Sequence, residues 1–453
     1  MKKVTNKVLW LFAIGQLGWS LLSGIVVNWL VFFYQPSAEN IAAGQTLFIP
    51  QGAIFLGMTV IGLIAATGRI FDAITDPWVA SLSDRCTHRL GRRIPFMRGA
   101  AIPFGIITIL MFISPVEGAT TINAICLLIA SLLFYLFMTL YCTPFNALIP
   151  VLGKTQKDRI NLSTFISITY FIGTAIAYLL PNIASFLEPS LGYVWSIRVT
   201  VAMLAVIAMV CMLVPVFTIK ERDYDNSKPV RTTAFKSLVK TFKNREFRTF
   251  VKSDVLYWIA LTIFQTGLPF YITSLMKLDS GMTFIFFAIM TVLSLAFYAP
   301  VNILAKKMGK KKLVVFAFLF FSAVFLITSV CGLFGIGGMI WGVLISVLAA
   351  IPMAVLGILP QAMVADVSEY DSMETNENRE GMFYAARTFA FKLGQSVAML
   401  IFTAVALIGT NGMGYRISAI IAAVFCLAGG IMLLKYNEKL IYSKIIKHEN
   451  ENA

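Results

Sequence analysis

Twelve stretches of about 20 predominantly apolar residues, each closed off by short polar segments, run through this chain. An α-helix of that length spans the hydrocarbon core of a bilayer with every backbone polar group satisfied internally. With 58% hydrophobic and 13% charged residues over 453 positions, the chain is too apolar for a soluble domain of its size. The predicted spans are 10–34, 54–79, 96–114, 123–152, 163–184 and 194–217, then 249–276, 283–304, 313–333, 339–365, 382–408 and 417–434. A polar stretch from Lys220 to Arg248 leaves six spans on either side. The expected fold is therefore all-α and integral to the membrane. Its predicted parts are a six-helix bundle over 1–219, a cytoplasmic linker over 220–248, a second six-helix bundle over 249–436 and a cytoplasmic tail over 437–453. Within the linker, Phe235, Leu238, Val239 and Phe242 fall on one face of 234–250. That pattern suggests an interfacial amphipathic helix or a solvated connector.

The net charge of +15 follows topology. Lysine and arginine collect in alternate loops, whereas 35–50, 115–121 and 188–193 are nearly free of them. The positive-inside rule then places both termini in the cytoplasm of a multi-pass cell-membrane protein. Basic residues so placed contact membrane lipids and call for no nucleic acid. Six cysteines lack metal or disulfide spacing. The two histidines, His88 and His448, form no HExxH motif, and neither a Walker loop nor a nucleophile elbow is present. Nothing points to an enzyme, a cofactor or a firm metal site. The first span is too long for a cleavable signal and itself directs insertion.

Asp72 and Asp76 stand four residues apart inside the second span, with Arg69 three residues before them. Spacing i, i+4 on a helix puts both carboxylates on one face. Each ionisable group near the centre of a membrane helix costs roughly 2.5–3.5 kcal/mol, so such a pair marks a polar path or a self-neutralising bridge to Arg69. Lys392 lies deep within the eleventh span and either reaches a cavity or snorkels. Trp19, Asn28, Tyr141, Asn146, Tyr257, Trp258, Gln265 and Tyr384 have the residue types and depth to contact a hydroxylated ring, although most membrane aromatics are core or belt residues.

The loop Ser81-Leu-Ser-Asp-Arg-Cys-Thr-His-Arg-Leu-Gly-Arg-Arg93 has a counterpart in the second half, Leu304-Ala-Lys-Lys-Met-Gly-Lys-Lys-Lys312. Parallel repeats of this kind define major-facilitator architecture. Asp84-Arg85 and Gly91-Arg92-Arg93, with Arg69, Asp72, Asp76-Pro77 and Pro95 around them, resemble the glycoside–pentoside–hexuronide:cation symporter family. Met363-Val-Ala-Asp-Val-Ser-Glu-Tyr370, Asn378-Arg-Glu-Gly-Met-Phe-Tyr384, Thr388 and Lys392-Leu-Gly394 are similar to its second half.

The resemblance implies a small-molecule transporter acting as a monomer, with cation coupling at Asp72, Asp76, Thr75 and Thr139. A third acid of the family's cation site falls at Cys142, a sugar-contacting acid at Ser20 and an arginine at Ser167, whereas Thr388 and Lys392 are retained. Substrate contacts are accordingly expected from Arg69, Ser20, Trp19, Cys142, Asn146, Gln265, Tyr384, Thr388 and Lys392. Gating is expected from Asp84, Arg85, Arg92, Arg93, Arg159, Asp366, Glu369 and Arg379, with Asp366 and Glu369 pairing with basic residues around Arg85 or Arg159. Arg387, nearer the cytoplasm than Lys392, is a further gate candidate. A thiol is a poor ligand for a hard cation, so Cys142 favours a proton over sodium as the coupling ion. The expected activity is cation-coupled uptake of a sugar or glycoside, with a uronide suited by Lys392. A lipid or lysolipid carrier on the same fold is the alternative.

Overall fold

The computed structural model describes residues 4–37, 40–41, 45–55, 57–153, 156–224, 240–375 and 380–452. Helices α1 (Asn6–Tyr34), α2 (Val60–Arg85), α3 (Ile94–Leu110), α4 (Thr121–Leu152), α5 (Gln156–Tyr178) and α6 (Leu180–Thr218) precede a short 3-10 turn, Glu221–Asp223. Helices α7 (Arg245–Phe270), α8 (Met282–Met308), α9 (Lys310–Ser329), α10 (Gly338–Thr375), α11 (Glu380–Val405) and α12 (Met413–Leu433) follow, and α13 (Glu438–Asn452) ends the chain. Nine segments among the described residues are long and apolar enough to cross a membrane, α5 and α6 forming one of them. The two long helices outside that group are α2, which carries Arg69, Asp72, Asp76, Asp84 and Arg85, and α3, which has 17 residues.

Two expected boundaries move. The apolar run from Ile54 belongs in part to a two-stranded hairpin, β1 (Ala53–Phe55) against β2 (Met58–Thr59), with Ala53 opposite Thr59 and Phe55 opposite Met58. Helix α2 begins only after it, because the Thr59 side chain accepts from the Gly62 N–H and caps the helix. Of the predicted linker helix, 234–250, residues 234–239 lie outside those described. Its last residues belong instead to α7: Asn244 accepts from the Phe247 N–H, and Phe247 and Phe250 are buried in the core.

The chain divides into two compact units, unit 1 comprising Met1–Thr232 with Ser280–Phe284, and unit 2 comprising Thr233–Asp279 with Ile285–Ala453. In unit 1, α1 packs on α5 and α6, and α3 packs on α4 and α6. Unit 2 repeats these pairings, α7 on α11 and α12, and α9 on α10 and α12. Unit 1 adds a close pairing of α2 with α4 that α8 and α10 do not match among the described residues. Gly68 permits it, since a Cβ there would stand 2.5 Å from the Tyr135 ring and 2.7 Å from Ser131 Oγ.

Candidate functional site

The α2–α4 contact brings the intramembrane acids against a row of hydroxyls. Asp72 is fully buried, and Thr139 Oγ1 donates to its Oδ1 at 2.9 Å. One turn along, Thr143 Oγ1 donates to Asp76 Oδ1 at 3.1 Å. Acids at i and i+4 on α2 thus face threonines at i and i+4 on α4, forming a ladder of two rungs. Thr75 Oγ1 lies 3.4 Å from Thr139 Oγ1 and donates back to the carbonyls of Phe71 and Asp72. Pro77, inside α2, offers no N–H to the Ala73 carbonyl, which leaves another oxygen acceptor between the two acids. The Arg69 guanidinium is buried, lies 5.3 Å from the centroid of the Tyr135 ring, and has no hydrogen-bond partner at Nε.

Thr143 was absent from the sequence-derived set. Its signal was present, four residues after Thr139, but the family pattern directed attention to Cys142. That thiol is half-buried immediately before Thr143, so the oxygen facing Asp76 comes one position later than the resemblance implies. The ladder can load a proton on a carboxylate or offer carboxylate and hydroxyl oxygens to a hard cation.

In unit 2, Tyr384, Thr388 and Lys392 follow one another at four-residue intervals on α11, all half-buried. Beside them Trp258 of α7 stacks on Phe391 with centroids 4.4 Å apart and an interplanar angle of 19°. The Trp258 indole N–H is buried without a hydrogen-bond partner, and Gln265 is half-buried on the same helix. Tyr384 Oη donates to the Gln361 carbonyl at 3.3 Å. Arg387 is held by Asp254 through two hydrogen bonds of 2.7 and 2.9 Å, both side chains being buried. Asp254 was not singled out in the sequence, and its pairing makes Arg387 a structural anchor of α7 to α11.

Other expected contacts are distributed through unit 1. Trp19 is half-buried, tilted against Tyr170 with centroids 6.4 Å apart, and its indole N–H has no partner. Ser20 is buried where α1 meets Gly173 of α5 and donates to the Leu17 carbonyl. Asn146 is exposed. Tyr141 donates to the Met212 carbonyl, and Asn28 accepts from Tyr178. Both hydroxyl and amide are therefore engaged in packing within the unit.

Of the expected gating residues, Asp84, Arg93 and Asp366 take part in two clamps. In unit 1, Glu221 Oε2 accepts from the backbone N–H groups of Arg93 and Ile94 at 2.8 and 3.2 Å, at the N-terminus of α3. The Arg93 guanidinium lies 3.6 Å from both Asp84 and Glu221. Arg85 is exposed and Arg92 half-buried. In unit 2, Glu438 Oε1 accepts from the N–H groups of Lys310 and Lys311 at 2.6 and 3.2 Å. Asp366 is bridged within its own unit by Lys310 at 2.7 Å, and Tyr442 of α13 donates to it at 3.4 Å. Glu369 is exposed. The Arg159 side chain and Arg379 lie outside the described residues.

A helical protein whose two units repeat one packing scheme, with one acid fully buried and a second half-buried against hydroxyls, has the architecture of a major-facilitator transporter. The family model for MFS/sugar transport proteins matches residues 11–434. The chain belongs to that family. It is 25% identical over 390 residues to the uncharacterized symporter YjmB of Bacillus subtilis, covering 83% of this chain and 80% of YjmB. It is 24% identical over 405 residues to the inner membrane symporter YicJ of Escherichia coli, covering 84% of this chain and 78% of YicJ. An isoprimeverose transporter of Lactiplantibacillus pentosus is 22% identical over 259 residues, 55% of this chain and 49% of that protein. Among solved structures, a bacterial homologue of the human drug peptide transporters superposes with a TM-score of 0.69 at 12% identity, over 97% of this chain and all of that one. This last likeness shows the fold alone.

Proposed function

We propose that the chain is a proton-coupled symporter of sugars or glycosides, taking its substrate into the cell by alternating access. The observation that carries the reading is the ladder of Asp72 and Asp76 against Thr139 and Thr143, built on a close helix pairing that unit 2 does not repeat among the described residues. Intramembrane carboxylates relay protons in transporters, and a proton needs only one of them. Arg69 tunes the pair from its place on Tyr135. Substrate contacts are assigned to Trp258, Gln265, Tyr384, Thr388 and Lys392 in unit 2 and to Trp19 and Arg69 in unit 1. A lysine in that set suits an anionic sugar such as a uronide. The charge pattern of the loops supports cytoplasmic termini.

Sodium coupling is the second reading, favoured by Thr143, which adds an oxygen that the family comparison did not anticipate. Uptake into sodium-free proteoliposomes under an imposed pH gradient separates the two. Accumulation that follows the pH gradient, and is abolished in Asp72→Asn and Asp76→Asn while downhill exchange persists, is the expected result. Strict dependence on sodium with no response to pH overturns proton coupling. Counterflow of lysolipids but not of glycosides would overturn the substrate class.

A further inference from the structure

A cleft of about 500 Å³ opens in unit 1 where the segment after α1 meets a break in α6, within the roughly 300–1,000 Å³ range of small-molecule sites. Its lining includes Asn40, Gln45, Thr46, Glu188, Tyr193 and Trp195. The break is at Gly192, which has φ 72° and ψ 165° inside an otherwise helical run, and a Cβ there would meet nothing within 4 Å. Both contributing segments belong to loops nearly free of lysine and arginine. The same charge rule that puts the termini inside puts this cleft outside.

The chemistry of the lining is specific. Two aromatic side chains, two amides, one hydroxyl and one carboxylate share it, with no basic residue among the described lining. Trp195 is 58% exposed, yet its orientation is fixed. The Arg198 guanidinium stands 5.1 Å from the Trp195 ring and 5.1 Å from the Phe48 ring, while its Nε donates to the Phe112 carbonyl at 2.9 Å. One face of the indole is thereby backed and much of the rest stays open. Tyr193 and Gln45 line the cleft from its two contributing segments. A fixed aromatic platform beside an exposed carboxylate and amides matches a pyranose ring, whose C–H face lies on an aromatic while its hydroxyls donate to acidic and amide oxygens.

We infer that this cleft is an outer glycoside subsite, which captures substrate from the external medium before the membrane-embedded residues engage it. The inference rests on the reading of the substrate as a sugar. The test is counterflow in proteoliposomes carrying the full-length protein, with radiolabelled methyl β-D-xylopyranoside, methyl β-D-galactopyranoside and D-glucuronate as separate probes. For a neutral probe that the wild type moves, Trp195→Ala and Glu188→Gln should each raise KM roughly fivefold at unchanged maximal rate, the signature of lost capture; for D-glucuronate, which Glu188 repels, Trp195→Ala alone should do so. Trp195→Phe keeps a platform and should stay within about twofold of wild type. Glu188 is exposed, so its substitution isolates binding from folding. Unchanged KM in both Trp195→Ala and Glu188→Gln overturns the subsite and makes Trp195 a membrane-belt residue, leaving the sugar reading intact. A wild type that moves none of the probes but transports another class of solute removes the sugar reading and the subsite together.

Discussion

In unit 1 the carboxylate of Glu221 accepts from the first amides of α3, and in unit 2 the carboxylate of Glu438 accepts from the first amides of α9. The sequence separation is 128 residues in each case, from Arg93 to Glu221 and from Lys310 to Glu438. Each helix start follows a glycine at positive φ, Gly91 at 119° and Gly309 at 87°, where a Cβ would press on the glutamate. What differs is the adjoining side chain. Arg93 lies between Asp84 and Glu221, whereas Lys310 turns to Asp366 on α10. The backbone arrangement is thus shared between the units while the charge pairing has diverged. The same contrast runs through the membrane, where Asp254 in unit 2 is met by Arg387 and threonine hydroxyls reach Asp72 and Asp76 in unit 1.

The largest expected effect breaks that second contrast. Asp254→Ala strands a buried guanidinium and should lower stability by about 3–5 kcal/mol, read as a fall in melting temperature of the purified protein. The double variant Asp254→Ala/Arg387→Ala should be less damaging than Asp254→Ala alone. Asp72→Asn, in contrast, should melt close to wild type and lose coupling. If the two single variants change places, unit 1 holds the structural charge and the assignment of roles fails.

The clamps come next. Glu221→Ala removes a nearly fully buried acceptor and should cost about 2–3 kcal/mol, whereas Glu438→Ala, at a half-buried position, should cost visibly less. Equal losses would mean that the shared backbone arrangement alone sets the energy. Gly91→Ala and Gly309→Ala should each cost about 1–3 kcal/mol through backbone strain. The smallest effect tests divergence of the side chains: Lys310→Met should leave melting nearly unchanged and alter transport rate by about twofold or less, because a partly exposed ion pair contributes little. A large loss of stability there would show that the Lys310–Asp366 bridge secures unit 2. Thr143→Val sharpens the comparison from the functional side, and should weaken coupling without changing the melting temperature.

The twelve long helices among the described residues each overlap a predicted span, because hydrophobic length is a local property. Their ends were less legible. Ile54 continues the apolar run by composition but lies in the hairpin, and only the Thr59 cap reveals where α2 starts. Asp72, Asp76 and Thr139 could be read from spacing and resemblance. Thr143 could have been found from helical periodicity alone. Asp254 was hidden by its surroundings, since an acid near Lys252 reads as a cytoplasmic helix edge until its arginine partner, 133 residues later, is brought beside it. Glu221 and Glu438 escaped notice for the same reason. Each looks like one charge in a polar tail, and its purpose depends on a helix start more than a hundred residues earlier. The basic loops around Gly91 and Gly309 were visible as a repeat, but the acids that answer them were not.

The position of Glu221 also sets an order of assembly. A chain is made from its N-terminus, and domains fold as units during synthesis. The carboxylate that completes α3 follows α6, so the first amides of α3 must wait through the translation of three more helices before their partner leaves the ribosome. Glu438 imposes the same delay on α9. Each unit therefore carries its fastening at the far end of its own message, and a chain cut short before either glutamate leaves that unit unfastened.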